Sequence, residues 1–218
     1  MNQTNIIKFP QQKAKTHKRI KNIDGVKYFS NSQVKLLRRA VRDQAATGRM
    51  TAIKEWMAID LLTCTGLRVS EAANLRCGDC KVGYDDNRVF VRNGKGWLSA
   101  HIVINEALKR HLKQFLKWKS GRREPVGRDD FVFVGQRGAI TSQGIQQIVK
   151  KYLKQLGLYE SGKSAHALRH SFAVELYGKS KDIRATQKQL RHVSIQSTQI
   201  YADITREEIQ NQMKGLWR

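Results

Sequence analysis

The sequence predicts a mainly α-helical domain with one small antiparallel β-sheet, an α+β fold. Most of the chain after Tyr28 places apolar residues at the 3.6-residue spacing of amphipathic helices. Between these stretches, two runs rich in β-branched and aromatic residues, Arg88–Arg92 and Leu98–Ile104, flank the turn sequence Asn93–Gly96. That arrangement is typical of an antiparallel hairpin. A third short strand is predicted near 80–82.

The helices before the sheet are predicted from caps and apolar faces. Ser30 or Ser32 can cap the first helix, whose apolar positions lie three or four residues apart: Val34, Leu37, Ala40 and Val41. The second helix spans about 52–64, and Gly66 supplies its C-terminal end. A short helix over 69–75 follows directly after Arg68.

The segments after the sheet are again mostly helical. Asn105 caps a helix that ends near Gly121, and 131–134 is a short buried extended run. Further helices are predicted over 141–156, 166–177, 183–190 and 198–201. The segment 204–218 is predicted to be a C-terminal helix, because a capping box begins at Thr205 and an apolar stripe follows it: Ile209, Met213, Leu216 and Trp217.

The charge balance predicts a polyanionic partner. The 218 residues include 41 Lys and Arg against 18 Asp and Glu, a formal net charge of +23 with a pI near 10.3. Because the basic residues are spread along the chain rather than gathered on one amphipathic helix, nucleic acid is favoured over a membrane surface. Residues 1–27 are predicted to be a basic flexible arm, and 28–218 a single domain.

The cysteines and the termini favour a cytoplasmic protein without a metal. Neither a secretory leader nor a long apolar run is expected, and three cysteines cannot form an even disulfide framework. Cys77 and Cys80 have the spacing of half a zinc site, but adding Cys64 and His101 would need an unusual arrangement. No metal or other cofactor is predicted.

One segment, 164–203, gathers side chains that could hold a phosphate and attack it: His166, Arg169, His192 and Tyr201. Guanidinium groups neutralise the charge that builds on phosphate oxygens, and imidazoles can transfer protons. A phenol is a nucleophile once its proton is removed, although its ordinary pKa is near 10. The chain shows no convincing carboxylate cluster for a metal, so this chemistry would be metal-free.

Five separated blocks of sequence together resemble the signature of the tyrosine recombinases, the phage integrase family, in its Xer-like form. The blocks are Thr65-Gly-Leu-Arg-Val-Ser-Glu71, Gly94-Lys-Gly96, His166-Ala-Leu-Arg169-His, Leu190-Arg-His192 and Tyr201. Their order and spacing match: Arg169 follows His166 by three residues, His192 follows Arg169 by 23 and Tyr201 follows His192 by nine. The resemblance runs from about Tyr28 to Thr205 and implies the catalytic-domain fold of that family.

The resemblance also implies roles. Arg68 and Arg169 would clamp the scissile phosphate, and Lys95 would protonate the leaving 5′ oxygen. His166 would be the acid/base partner of the tyrosine, and His192 would contact a phosphoryl oxygen. Tyr201 would attack, giving a 3′-phosphotyrosyl enzyme. Glu71 and Asp203 resemble supports. His170 is expected to pack or to contact backbone, and no role is assigned to His17, His101 or His111.

Three departures from the family pattern accompany the resemblance. Arg191 stands where glycine is usual, so the turn before His192 is expected to be altered. The strand after Lys95 reads Trp97-Leu-Ser-Ala and lacks the usual basic residues and proline. Residues 1–27 are too few for a separate core-binding domain, so none is expected.

The resemblance implies that the protein is a site-specific recombinase that integrates or excises a mobile element or resolves DNA. A homotetramer bound to double-stranded DNA is implied, with an accessory DNA-bending or core-binding protein as a further partner. The implied source is a bacterium, phage or plasmid, and the protein would join the nucleoid when active. A type IB topoisomerase-like enzyme and a non-cleaving DNA-binding accessory protein remain the alternatives.

Overall fold

The computed structural model describes residues 26–92, 99–135, 138–161 and 163–203, and helices dominate this part of the chain, as predicted. In chain order they are α1 (Asn31–Ala45), α2 (Met50–Thr65), α3 (Val69–Ala73), α4 (Glu106–Gly121), α5 (Ser142–Gln155), α6 (Ala165–Ser180), α7 (Ile183–Leu190) and α8 (Gln196–Asp203). Most bounds agree with the predicted ones to within two residues. The predicted arm, the hairpin tip with Lys95 and the segment 204–218 lie outside the described residues, apart from the last residues of the arm.

A three-stranded antiparallel sheet, β1 (Cys80–Lys81), β2 (Arg88–Val91) and β3 (Ala100–Val103), confirms the predicted hairpin and third strand. The strands pair in the order β1-β2-β3, with Phe90 opposite His101. Alternating residues of β2 and β3 are buried, and this places one face of the sheet against the core.

A second, two-stranded sheet, β4 (Val134–Gly135) and β5 (Gly138–Ala139), was not predicted. It begins at the end of the predicted extended run. That run is held by Val132, whose N–H donates to Leu75 O at 2.9 Å and whose carbonyl accepts from the buried Lys119 Nζ at 3.0 Å.

Helix α2 is buried on nearly all sides and packs against α1, α4, α5 and α6. Its one buried carboxylate, Asp60, accepts from Arg38 at 2.7 Å and lies 2.8 Å from His111 Nδ1. A buried carboxylate needs such partners, because burial without them disfavours its charge. His111 therefore ties α4 to α2, and the end of α2 is fixed by packing on every side.

Helices α6, α7 and α8 carry a smaller apolar cluster made of Ala173, Leu190 and Tyr201, with Phe172 and Ile200 packed against it. The cluster lies next to the end of α2, because Phe172 and Leu190 both approach Gly66. The end of α2 thus meets α6 and α7, which lie far from it in the sequence.

No helix among the described residues is both long and apolar enough to cross a membrane.

Candidate active site

The end of α2 is shaped by Gly66. Its φ of +65° lies in the left-handed region, and its N–H donates to Leu62 O. A Cβ at this position would lie 2.5 Å from Phe172 Cδ1 and 3.0 Å from Leu190 Cδ2. Only glycine therefore allows α6 and α7 to approach this turn, and the turn places Arg68 at the start of α3.

Glu71 holds Arg68 in position. Its carboxylate accepts from the Arg68 backbone N–H at 2.7 Å through Oε2 and from Arg68 Nη1 at 2.8 Å through Oε1. The Glu71 side chain is 4% exposed and that of Arg68 is 22% exposed. The supporting role expected for Glu71 agrees with these contacts, and part of the Arg68 guanidinium remains open to solvent.

Arg169 lies on α6 and connects two other segments of the chain. Its Nη1 donates to Gly66 O at 2.5 Å and its Nη2 to Leu190 O at 2.5 Å, so the fork spans the ends of α2 and α7. Burial lowers the pKa of Arg169 to about 10, with Arg68 adding to the effect. The group is still charged at neutral pH, and its positive charge lies in a poorly hydrated place.

His192 lies in the turn between α7 and α8. Its Nδ1 is 2.9 Å from Thr198 Oγ1. Burial, together with the nearby charges of Arg169 and Arg68, lowers the pKa of His192 to about 3. The imidazole is therefore neutral at physiological pH and can donate one hydrogen bond and accept another.

Tyr201 lies on α8 and is 1% exposed. Its ring is stacked with that of His192 at a centroid distance of 6.3 Å. Burial raises the pKa of Tyr201 to about 12, although the charges of Arg169 and Arg68 act in the opposite direction. The phenol is thus protonated at neutral pH, and any attack by it requires a proton acceptor.

The histidine that meets the Tyr201 hydroxyl is His170, with its Nδ1 at 2.8 Å from Oη. The expectation that His170 would only pack or contact backbone is therefore wrong. His166 is exposed at the start of α6, and its ring lies 5.0 Å from the His170 ring in a T-shaped contact. The two histidines form a row that leads from solvent to the tyrosine.

Arg191, the residue at the position where glycine was expected, has φ 54° and ψ 46° and so adopts the left-handed backbone itself. The turn before His192 therefore keeps the left-handed conformation that glycine favours, and the alteration expected from arginine is not present at Arg191. Its Nη2 donates to Glu71 Oε2, and its side chain is 6% exposed. This ion pair was not predicted, because nothing in the local sequence indicates a contact 120 residues away.

The structure thus brings together five of the six predicted site residues: Arg68, His166, Arg169, His192 and Tyr201. Lys95 and the Asp203 side chain lie outside the described part of the chain. Within that part, no three His, Cys, Asp or Glu side chains converge as ligands for a metal ion.

Comparison with known proteins agrees with this geometry. The model of the phage integrase family matches residues 27–208. The chain belongs to the phage integrase family. Its members include solved structures with the same fold: the XerA recombinase superposes with a TM-score of 0.71 at 26% identity, covering 87% of this chain and 64% of that one. The XerH recombinase bound to its difH substrate gives 0.68 at 25% identity, with 88% and 53% covered.

Family members with similar sequences carry the name tyrosine recombinase. XerD of Listeria innocua is 31% identical over 211 residues, which are 95% of this chain and 65% of that protein. XerA of Pyrococcus horikoshii is 31% identical over 161 residues, 72% of this chain and 53% of that protein. The chain therefore spans about half to two thirds of the length of these relatives.

Besides the Arg191–Glu71 ion pair, the sequence motifs did not indicate the contacts of His170 and Thr198. One signal was available for His170: it lies four residues after His166, so both share one face of α6. Thr198 lies three residues before Tyr201, which places both on one side of α8 next to His192. Helical spacing alone does not say what such a side chain contacts.

Proposed function

We propose that the chain is a tyrosine site-specific recombinase that cleaves and rejoins double-stranded DNA through Tyr201. The observation that carries the proposal is the position of the phenol. It lies between two histidines, and both Arg68 and Arg169 are close enough to influence its pKa. Family membership and the relatives' names support the same activity.

The scissile phosphate would bind at the arginines. Arg68 offers its partly exposed guanidinium, and Arg169 supplies positive charge from a buried position. Charge that develops on the non-bridging oxygens would be stabilised strongly by Arg169, because its buried guanidinium is poorly hydrated. Neutral His192 would donate one further hydrogen bond to a phosphoryl oxygen.

The reaction would form a bond between Tyr201 Oη and phosphorus and break the bond from phosphorus to the 5′ oxygen. The tyrosine proton would pass to His170 Nδ1, which is already at hydrogen-bond distance, and His166 would connect that ring to solvent. Lys95 would protonate the leaving oxygen. Because the phosphotyrosyl bond replaces the phosphodiester bond without hydrolysis, rejoining needs no ATP.

The biological setting follows from the chemistry of strand exchange. Two duplexes must be cut and rejoined, so we propose assembly of four protomers on DNA, with an accessory DNA-bending or core-binding protein as partner. The substrate would be a mobile element or a DNA dimer, in the cytoplasm at the nucleoid. With a formal net charge of +23, DNA affinity should fall steeply as salt increases.

A nicked duplex tests the proposal. The duplex is chosen by searching the DNA around the gene for inverted repeats that flank a short spacer, and a nick in it lets the cleaved fragment diffuse away. Wild type should form a denaturant-resistant protein–DNA adduct, and Tyr201→Phe should form none. The proposal fails if the two proteins behave identically. Relaxation of supercoils without recombinant products would instead favour a topoisomerase-like activity.

A further inference from the structure

Arg191 is an unusual left-handed residue. Three non-glycine residues in the described part of the chain have positive φ: Arg123, Lys181 and Arg191. Arg123 and Lys181 are exposed, whereas the Arg191 side chain is 6% exposed. A long charged side chain in a backbone conformation that favours glycine, and buried as well, persists only where its surroundings compensate for both.

The compensation comes from the Glu71 carboxylate. Arg191 Nη2 donates to Glu71 Oε2, and Nη1 donates to Gln189 O at 3.1 Å. Arg191 Nε is buried and has no hydrogen-bond partner among the described residues. The guanidinium is therefore held in one orientation, and part of its hydrogen-bonding capacity is unused.

Glu71 is shared by three arginines. Arg68 Nη1 donates to Oε1 at 2.8 Å, Arg191 donates to Oε2, and Arg169 Nη1 lies 4.0 Å from Oε2. Three guanidinium cations and one carboxylate leave two uncompensated positive charges in a largely buried cluster. Crowding of like charges contributes to the lowered pKa of both Arg169 and Arg191, after the larger effect of burial.

This net charge matches the transition state of phosphoryl transfer better than its ground state. A phosphodiester carries one negative charge, and more negative charge collects on the non-bridging oxygens as the nucleophile adds. A cluster with two uncompensated positive charges binds the more highly charged species more strongly, and such differential binding lowers the barrier. Without Arg191, Glu71 would neutralise a larger share of the Arg68 charge.

We propose that Arg191 is a positioning residue of the active site. It anchors Glu71 through Oε2, whereas the Arg68 guanidinium binds Oε1, and it adds the third positive charge, so that the guanidinium of Arg68 keeps its charge for the scissile phosphate. This inference rests on the function proposed above. It gives a role to Arg191, the site residue that stands where glycine is expected.

The test compares two duplexes in single-turnover cleavage. One has a natural scissile phosphate, and the other has a methylphosphonate there, which is neutral. We expect Arg191→Gly to fold at least as well as wild type, since glycine suits the left-handed turn. It should form the adduct about tenfold more slowly on the natural phosphate, while duplex affinity changes much less. On the methylphosphonate the two proteins should react at similar rates, and Arg191→Lys should recover part of the rate on the natural phosphate.

Arg123→Gly is the matched control, because it removes the same side chain from the same backbone conformation at an exposed site. Its effect should be equal on both duplexes. The inference is overturned if Arg191→Gly cleaves the natural phosphate as fast as wild type, or if it is slowed equally on both duplexes. If wild type itself forms no adduct, the proposed function fails and this inference fails with it.

Discussion

His170 Nδ1 lies 2.8 Å from the hydroxyl oxygen of Tyr201, and this hydrogen bond joins α6 directly to the proposed nucleophile. The tyrosine is 1% exposed and its pKa is raised to about 12 by burial. A phenol in such a place keeps its proton at neutral pH unless a base takes it. His170 is the imidazole already in position to do so.

We therefore predict that His170→Asn slows formation of the covalent adduct by about 10²-fold or more. The Asn side-chain oxygen can occupy the place of Nδ1 and keep a hydrogen bond to Tyr201, but it cannot accept the proton. The rate is measured in single-turnover cleavage of the nicked duplex. Thermal unfolding serves as the control and should change little.

The competing assignment makes His166 the sole acid/base, as the sequence resemblance implied. In that case His166→Asn would abolish the adduct while His170→Asn left the rate within about twofold of wild type. That result would show that the hydrogen bond between His170 and Tyr201 only fixes the position of the ring.

Elements that depend on interactions between residues close in the sequence could be predicted, and elements without a clear local pattern could not. Helices such as α4 could be predicted because the Asn105 cap and the apolar spacing are local features, and the structure confirms the bond from Leu108 N–H to Asn105 Oδ1. The small β4–β5 hairpin was missed because its strands have two residues each and contain little but glycine and small side chains.

The site likewise combines features encoded in short stretches of sequence with contacts between distant elements. Its residue types and spacing could be predicted because five blocks of the sequence resemble the motifs of the phage integrase family in order and spacing. The pairing of Arg191 with Glu71 joins the turn after α7 to α3 across 120 residues of sequence, and no local pattern encodes it. The contact between His170 and Tyr201 is likewise tertiary, because it needs α6 and α8 to meet.

Gly66 allows a prediction about stability. We expect Gly66→Ala to lower the free energy of unfolding by about 3 kcal/mol, since alanine is strained at φ +65° and its Cβ would lie 2.5 Å from Phe172 Cδ1. Urea denaturation measures the change. Gly178→Ala is the control: its Cβ would meet nothing within 4 Å, and it should be neutral or stabilising by about 0.5–1 kcal/mol. Equal effects at the two glycines would contradict the close packing inferred at the end of α2.

Arg68 and Arg169, which are proposed to bind the scissile phosphate, should respond differently to replacement by lysine. Arg169→Lys cannot span the carbonyls of Gly66 and Leu190, so we expect a loss of about 2 kcal/mol of stability together with loss of the adduct. Arg68→Lys should also lose the adduct but cost less than about 1 kcal/mol, because its ion pair is partly solvent-exposed. Denaturation and cleavage are measured on both variants. If Arg169→Lys is as stable as Arg68→Lys, the bridging role assigned to Arg169 is wrong.

The lowered pKa of His192 predicts how stability depends on pH. The ordinary value of 6.5 applies to the unfolded chain, and burial near Arg169 and Arg68 lowers the folded value to about 3. Between these values the unfolded state binds a proton at His192 that the folded state does not, so the contribution of His192 lowers the free energy of unfolding as pH decreases below 6.5. The variant His192→Asn can keep a contact to Thr198. We expect it to reduce the slope of the free energy of unfolding against pH by close to the amount that one proton contributes.

The measurement is urea denaturation of wild type and His192→Asn over the upper part of the range between the two pKa values. Parallel pH profiles for wild type and variant would mean that His192 is protonated in the folded state as easily as in the unfolded one, and the neutral hydrogen-bonding role proposed for it would then be wrong.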